Sequence, residues 1–218
     1  MLSVVIPTLN AAPTFQACLD ALGQMEDLVV ADGGSGDGTA AIAETAGARV
    51  VQAPRGRGLQ LAAGAEAARG DWLLFLHADT RLSGAWRSEV EAHTRRAYDK
   101  AACFRLRLDD AAWQARLVER AVALRVKLLR LPYGDQGLLI PRTLYDELGG
   151  FRPLPLMEDV DLVRRIGRAR LEVLGADAVT SAARWRRDGW ARRSARNLLC
   201  LALYRSGLSA ERVARLYG

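Results

Sequence analysis

The chain has 218 residues, half of them hydrophobic and about a quarter charged, a composition that excludes a disordered or collagen-like polymer and predicts one domain with a sizeable core. Its net charge of +6 is uneven: residues 1–100 carry 9 Lys and Arg against 12 Asp and Glu, whereas residues 101–218 carry 22 against 13. No apolar run reaches the ~18 residues of a spanning helix, and the chain opens on a strand pattern rather than a leader, which points to the cytoplasm.

The first hundred residues alternate strands over 2–6, 27–31, 48–52 and 72–76 with helices over 13–22, 39–46 and 58–68. This alternation predicts an α/β fold with a mainly parallel sheet covered on both faces, which binds ligands beyond the C-terminal ends of its strands. Polar residues stand at those ends: Thr8 and Asn10 after the first strand, Asp32 after the second, His77 and Asp79 after the fourth. The second half predicts a helix over 86–97, a strand over 101–108, a basic amphipathic helix over 111–130, a strand over 136–140, and helices over 142–148 and 158–167. A strand over 171–174 and helices over 190–206 and 209–216 close the chain. No repeat or linker interrupts it, so the charge shift marks two parts of a single domain, 1–218: a donor half of about 1–100 and an acceptor half of about 101–218. Cys18, Cys103 and Cys200 are scattered without CxxC spacing, which argues for buried thiols over a disulfide framework or zinc site. Lysine occurs only at Lys100 and Lys127, and the arginine preference suits phosphate recognition as well as it suits a G+C-rich coding bias.

Four segments carry residue types suited to chemistry. In Val29-Val-Ala-Asp32-Gly-Gly-Ser-Gly-Asp37-Gly-Thr39 a strand meets an acidic residue and a glycine-dense turn, where Asp32 can accept hydrogen bonds from a base or ribose. A tight turn with Asp37 or Thr39 capping the next helix explains the same residues. It is not a dinucleotide fingerprint, which follows the first strand; here that strand ends in Pro7-Thr8-Leu9-Asn10. In Leu73-Leu-Phe-Leu-His77-Ala-Asp79-Thr80 an imidazole and a carboxylate share a face at i, i+2. They suit Mn²⁺ or Mg²⁺ with diphosphate oxygens completing the shell, and a capping Asp79 beside a half-buried His77 is the plain alternative.

Pro155-Leu-Met-Glu158-Asp159-Val-Asp161-Leu162 opens a helix with three carboxylates, a placement the helix dipole favours by itself, with Arg164 and Arg165 within reach of Asp161. A general base needs only one carboxylate, and the adjacent Glu158 and Asp159 cannot point the same way, so at most one faces a cleft. Arg184-Trp-Arg-Arg187-Asp-Gly-Trp190-Ala-Arg-Arg193-Ser-Ala-Arg196 sets six Arg and two Trp against one Asp. That cluster suits a diphosphate, an anionic acceptor, an anionic membrane surface or a solvated basic face; with no nucleic-acid module around it, nucleic acid is not the expected partner.

Together and in this order the segments resemble the GT-A-fold glycosyltransferases of family 2. The likeness runs through Ser3-Val-Val-Ile-Pro-Thr-Leu-Asn10, Val30-Ala-Asp32-Gly-Gly-Ser-Gly-Asp37-Gly-Thr39, Arg57-Gly-Leu-Gln60-Leu-Ala-Ala-Gly64, Leu76-His-Ala-Asp79, Gly134-Asp-Gln136-Gly-Leu-Leu-Ile-Pro-Arg142, Leu148-Gly-Gly-Phe151 and Glu158-Asp159, covering about residues 2–200. The compact length and the closing Arg184-Trp-Arg-Arg187 resemble a small bacterial subgroup. The resemblance implies that Pro7, Thr8, Asn10 and Asp32 line the base and ribose of a nucleotide, with Arg57 and Gln60 near the base or diphosphate. It implies that Asp79 binds the metal, with His77 the second candidate ligand from the residues themselves, and that Asp159, beside Glu158, is the catalytic base. Asp135, Gln136, Arg184, Trp185, Arg186 and Arg187 fall on the acceptor side.

Two positions depart from the family pattern: its Asp-x-Asp is here His77-Ala-Asp79, and Ala11 stands where an acidic residue is common. The implied reaction is an inverting transfer from a nucleotide-diphosphate sugar, uracil being the favoured base, to an acceptor hydroxyl, assisted by Mn²⁺ or Mg²⁺. The basic half suggests an acceptor that is anionic or lipid-linked, with peripheral contact at the inner membrane face. Alternatives are a nucleotidyltransferase, which needs a glycine-rich basic loop that the first strand lacks, and a non-catalytic nucleotide-sugar-binding protein.

Overall fold

The computed structural model describes residues 1–217. Their eight strands, β1 (Leu2–Thr8), β2 (Asp27–Asp32), β3 (Arg49–Gln52), β4 (Trp72–Phe75), β5 (Thr80–Leu82), β6 (Ala101–Leu108), β7 (Leu138–Pro141) and β8 (Leu171–Thr180), form one sheet in the order β3-β2-β1-β4-β7-β6-β8-β5. The first four pair in parallel through the crossover helices α1 (Ala12–Leu22), α2 (Thr39–Thr45) and α3 (Arg57–Ala67). Beyond β4 the sheet is mixed: β7 runs antiparallel between β4 and β6, β8 is parallel to β6, and β5 closes the edge antiparallel to β8.

The apolar runs of the central strands follow from burial on both faces. In β1, Val4 and Ile6 enter a core with Phe15 and Leu19 of α1, while Val5 points the opposite way, to Leu61 and Ala65 of α3. Each such buried Val or Leu contributes about 1.5–3 kcal/mol. Gly64 lets α3 approach the sheet, because a Cβ there would stand 2.4 Å from Val5 Cγ1.

The helices predicted in the second half appear as α4 (Trp86–Arg96), α5 (Trp113–Leu129), α6 (Arg142–Glu147), α7 (Glu158–Ile166), α9 (Trp190–Arg205) and α10 (Ala210–Tyr217). The strand expected over 171–174 continues to Thr180, since β6 and β5 pair with it on either side. Gly175 and Asp177 are weak strand formers and hid that extension, although Leu174, Ala176, Ala178 and Thr180 are buried in alternation. The strand expected from 136 starts at Leu138, because Gly134–Gln136 forms a 3₁₀ turn. The short β5 and α8 (Ala183–Asp188) were not anticipated. All three cysteines are buried and free. Among the described residues no helix is long and apolar enough to cross a membrane.

Candidate active site

β1 and β2 end level, with Thr8 opposite Asp32, and the polar residues there bond chiefly to one another. Asp32 accepts hydrogen bonds from Thr8 Oγ1 (2.8 Å), from the N–H groups of Gly34 (3.0 Å) and Ser35 (2.7 Å), and from the Ser35 hydroxyl. Burial alone would raise its pKa; these donors outweigh burial and hold the carboxyl below the usual range. Gln60 Nε2 donates to the carbonyls of Thr8 (2.6 Å) and Ala31 (3.1 Å). Asn10, with a left-handed φ of 51°, donates its N–H to Ser35 Oγ and accepts the Gly36 N–H on Oδ1. Thr8, Asp32 and Gln60 are buried in this ledge, Pro7 is half-buried, and Asn10 is exposed on it.

A separate pocket gathers Arg57, His77, Asp79, Tyr133, Asp135, Asp159, Arg184 and Trp185. The carboxylates that open α7 diverge, as adjacent residues must. Met157 launches the helix from φ 65°, a backbone conformation costly for a residue other than glycine. Glu158 turns inward, 1% exposed, with Oε1 2.6 Å from Arg57 Nε. Burial raises the Glu158 carboxyl despite the opposing pull of Arg57, and the charge of Asp159 adds to the rise. Asp159 faces the pocket, its Oδ2 accepting the Gly134 N–H (2.6 Å) and its Oδ1 the Val160 N–H (2.7 Å). A side chain at 134 would not fit: a Cβ would lie 2.6 Å from His77 Nε2 and 3.3 Å from Asp159 Oδ2.

Arg57 Nη1 is 3.3 Å from His77 Nε2. A guanidinium only donates, so Nε2 accepts and the neutral ring carries its proton on Nδ1. Burial, then the Arg57 and Arg184 charges, hold His77 well below its ordinary pKa, and the ring is neutral at pH 7. Asp135 is pushed up to about 6, first by burial and then by the charges of Asp159 and Asp79, against the pull of Arg125 and Arg57. Its Oδ1 is buried without a hydrogen-bond partner.

Not every residue expected on the acceptor side reaches the pocket. Arg186 turns to Asp110 (2.9 Å) and Arg187 to Asp188 (2.8 Å), while the buried Gln136 donates Nε2 to the Phe104 carbonyl (2.9 Å). Asp161 pairs with Arg165 (2.6 Å) and Arg152 (3.2 Å). The pocket also takes Arg193, from the basic cluster the sequence singled out, and Thr180, Ser181, Asn197 and Tyr217, which sequence reasoning missed. Thr80 Oγ1 donates to Thr180 Oγ1 (3.0 Å) and the Ser181 N–H to the Asp79 carbonyl (3.2 Å), so β8 fixes the backbone that carries Asp79. Arg193 bonds Asp188 (2.7 Å) and the Tyr217 hydroxyl (3.0 Å); its i, i+4 spacing to Asn197 on α9 was the available signal.

Among the described residues no three His, Cys, Asp or Glu side chains converge as a closed metal site. The donors present fit an open one: Asp79 lines the pocket beside the unpartnered Oδ1 of Asp135, and a hard divalent ion takes one or two carboxylates and shares substrate phosphates. His77 instead presents Nε2 to Arg57.

The chain is similar to known proteins at three levels. Residues 3–155 match the model of glycosyl transferase family 2. Curated relatives named PGL/p-HBAD biosynthesis glycosyltransferase, from Mycobacterium bovis and Mycobacterium tuberculosis, are 39% identical over 93 residues, 38% of this chain and 36% of theirs. The match thus spans about a third of the length of those relatives. Glucosyl-3-phosphoglycerate synthase from Mycobacterium tuberculosis, solved with Mn²⁺, uridine diphosphate and glucosyl-3-phosphoglycerate, superposes with a TM-score of 0.60 at 22% identity, covering 83% of this chain and 70% of that one. TarS 1–349 of S. aureus gives a TM-score of 0.66 at 15% identity, covering 99% and 69%. These superpositions assign the GT-A type of α/β fold. With 153 of its residues spanned by the family model, the chain belongs to glycosyl transferase family 2.

Proposed function

We propose that the protein transfers a sugar from a nucleoside-diphosphate sugar, with a uridine nucleotide favoured, to an acceptor hydroxyl, inverting the anomeric centre with Asp159 as general base. The observation that carries this is the division of labour at α7: Glu158 is turned inward onto Arg57, and Asp159 faces the pocket that also holds Asp79 and Arg184. The similar solved structures bound to Mn²⁺ and uridine diphosphate, and to UDP-GlcNAc, favour the same donor class.

In this reading the acceptor hydroxyl gives its proton to Asp159 as its oxygen attacks the anomeric carbon in line, and the nucleoside diphosphate leaves with the bonding pair. The Gly134 N–H holds Asp159 in one orientation, so little reorganisation is left for the reaction. Arg57 and Arg184, which line the same pocket, would offset charge developing on the diphosphate. Asp79 would hold Mn²⁺ or Mg²⁺, which when bound neutralises leaving-group charge. The neutral His77 would support Arg57 rather than compete with it. The exposed Asn10 and half-buried Pro7 would meet the base and ribose on a ledge shaped by Thr8, Asp32 and Gln60. The acceptor would enter past Asp135, Arg184 and Trp185, with Arg186 and Arg187 outside the first contacts.

The test is a thermal-shift panel of UDP, GDP, CDP and dTDP and their sugars with Mn²⁺, Mg²⁺ or EDTA, followed by donor hydrolysis. One nucleotide should raise the midpoint by several degrees, in a metal-dependent way. Asp159→Asn should keep that shift and lose about 10²–10⁴-fold in turnover. Wild-type turnover in the variant overturns the base, absence of any nucleotide shift overturns the donor site, and binding without turnover in the native enzyme makes this a binding protein.

A further inference from the structure

The catalytic pocket does not end at its carboxylates. Tyr133, Asp135, Trp185 and Asn197 line it and also line a second, larger groove between α5 and α9. Residues Trp113, Leu117, Ala121, Leu124 and Leu128 recur at helical spacing along one face of α5, and Trp190, Ser194, Leu198 and Leu201 along α9. Most of this surface lacks a partner: Trp113 is 70% exposed, Leu117 58%, Leu124 56%, Leu128 55% and Leu198 60%. Exposed apolar side chains aligned into one groove, unlike scattered ones, mark a binding surface.

Two features of the structure say what covers it. The groove shares Tyr133, Asp135, Trp185 and Asn197 with the pocket that holds Asp159, so an occupant that fills it comes to the edge of that pocket. The helices that form it are strongly basic: α5 holds Arg116, Arg120, Arg125 and Lys127 against Glu119, and α9 holds Arg192, Arg193, Arg196 and Arg205 with no acidic residue. Apart from Arg125 those charges lie off the groove, since Arg116, Arg120 and Lys127 line a different pocket and Arg193 and Arg196 pair with Asp188; of the residues lining the groove only Arg125 and Asp135 are charged, so its long stretch is apolar, as an alkyl chain requires. The apolar stripe from Trp113 to Leu128 runs about 22 Å at 1.5 Å per residue, room for an extended hydrocarbon.

We infer that this groove holds the hydrocarbon body of an amphiphilic acceptor, whose hydroxyl-bearing head passes Tyr133 and Asp135 to reach Asp159. The inference rests on the glycosyl-transfer reading of the pocket and names its acceptor class.

The experiment uses 11-(dansylamino)undecanoic acid as a fluorescent chain probe, displaced by octyl, decyl and dodecyl β-glucosides below their micellar concentrations. The wild-type protein should bind the probe, and each added methylene of the competitor should tighten displacement by about two- to fourfold until the groove is filled. Leu124→Gln combined with Leu198→Gln, both at exposed positions, should weaken probe binding by about tenfold or more. The UDP-induced thermal shift should be unchanged in that variant, so loss of the donor site and loss of the groove are read separately. Absence of probe binding, or equal binding by the double variant, overturns the inference. So does a wild-type dimer in sedimentation equilibrium that the double variant converts to monomer, which would assign the groove to a second copy. Co-sedimentation with anionic vesicles that the variant abolishes, without binding of the monomeric probe, overturns it too and makes the groove a membrane-resting face.

Discussion

Replacing Asp135 by Asn should stabilise the protein above neutral pH while impairing it as an enzyme. In the folded chain the Asp135 carboxyl is held at about 6, compared with 3.8 for an ordinary aspartate, because it is buried near the charges of Asp159 and Asp79. Between about pH 4 and pH 6 the folded state therefore binds more protons than the unfolded state, and this group's contribution to stability falls as pH rises. Above about pH 6 the penalty is complete: a shift from 3.8 to about 6 corresponds to at most about 3 kcal/mol. Asparagine keeps the shape and discards the charge. Its advantage should be near zero at pH 4, grow through pH 5–6 and level off, raising the midpoint at pH 8 by up to about 6–12 °C for a chain of this size. Urea or thermal unfolding of both proteins in EDTA, from pH 4 to 8.5, reads this difference directly, since groups common to both cancel. A variant less stable than wild type at pH 8, or a difference flat across the range, would refute a desolvated, like-charge-loaded Asp135.

Three further outcomes follow from close contacts and from the open metal position. Gly64→Ala sets a helix-propensity gain of about 1 kcal/mol against a Cβ placed 2.4 Å from the fully buried Val5. Overpacking costs of about 1–3 kcal/mol should win, seen as a lowered urea midpoint at unchanged m-value. Gly134→Ala should cut turnover by about 100-fold with little change in melting temperature, since its Cβ meets His77 and Asp159 rather than the core. Asp79→Ala should abolish the Mn²⁺-dependent part of the UDP thermal shift, and an undiminished metal effect would remove Asp79 from the ligand set.

The elements were legible where burial is local in sequence. Runs such as Val4-Val-Ile6 and Leu73-Leu-Phe75 lie on strands covered on both faces, and the order of strand and helix alone gives parallel crossovers. What escaped was pairing that long-range neighbours impose. Residues 175–180 are Gly-Ala-Asp-Ala-Val-Thr, with little strand character of their own, and the strand extends past an irregularity because β6 pairs with residues 177–180 on one side and β5 with 178–180 on the other. Residues 80–82 form an edge strand for the same reason. Both belong to the half of the sheet where parallel and antiparallel pairs mix, which no alternation of elements announces.

At the site, local chemistry limited the choices and three-dimensional packing made them. Adjacent residues at the start of a helix diverge, so one of Glu158 and Asp159 had to turn away; which one depends on Arg57, about a hundred positions earlier in the chain, reaching Oε1 of Glu158. Thr8, Asp32 and Gln60 carry the polar groups of a ligand ledge, yet their hydrogen bonds run to Ser35, to backbone amides and to the carbonyls of β1 and β2. A buried carboxylate has room for about four donors, and Asp32 has four within the chain, so in the proposed donor site it would serve chiefly to fix the ledge. Asp135 is the converse case. Its Oδ1 is buried without a partner within the chain and its pKa is raised, so, unlike Asp32, it has an oxygen left for a ligand of the proposed site.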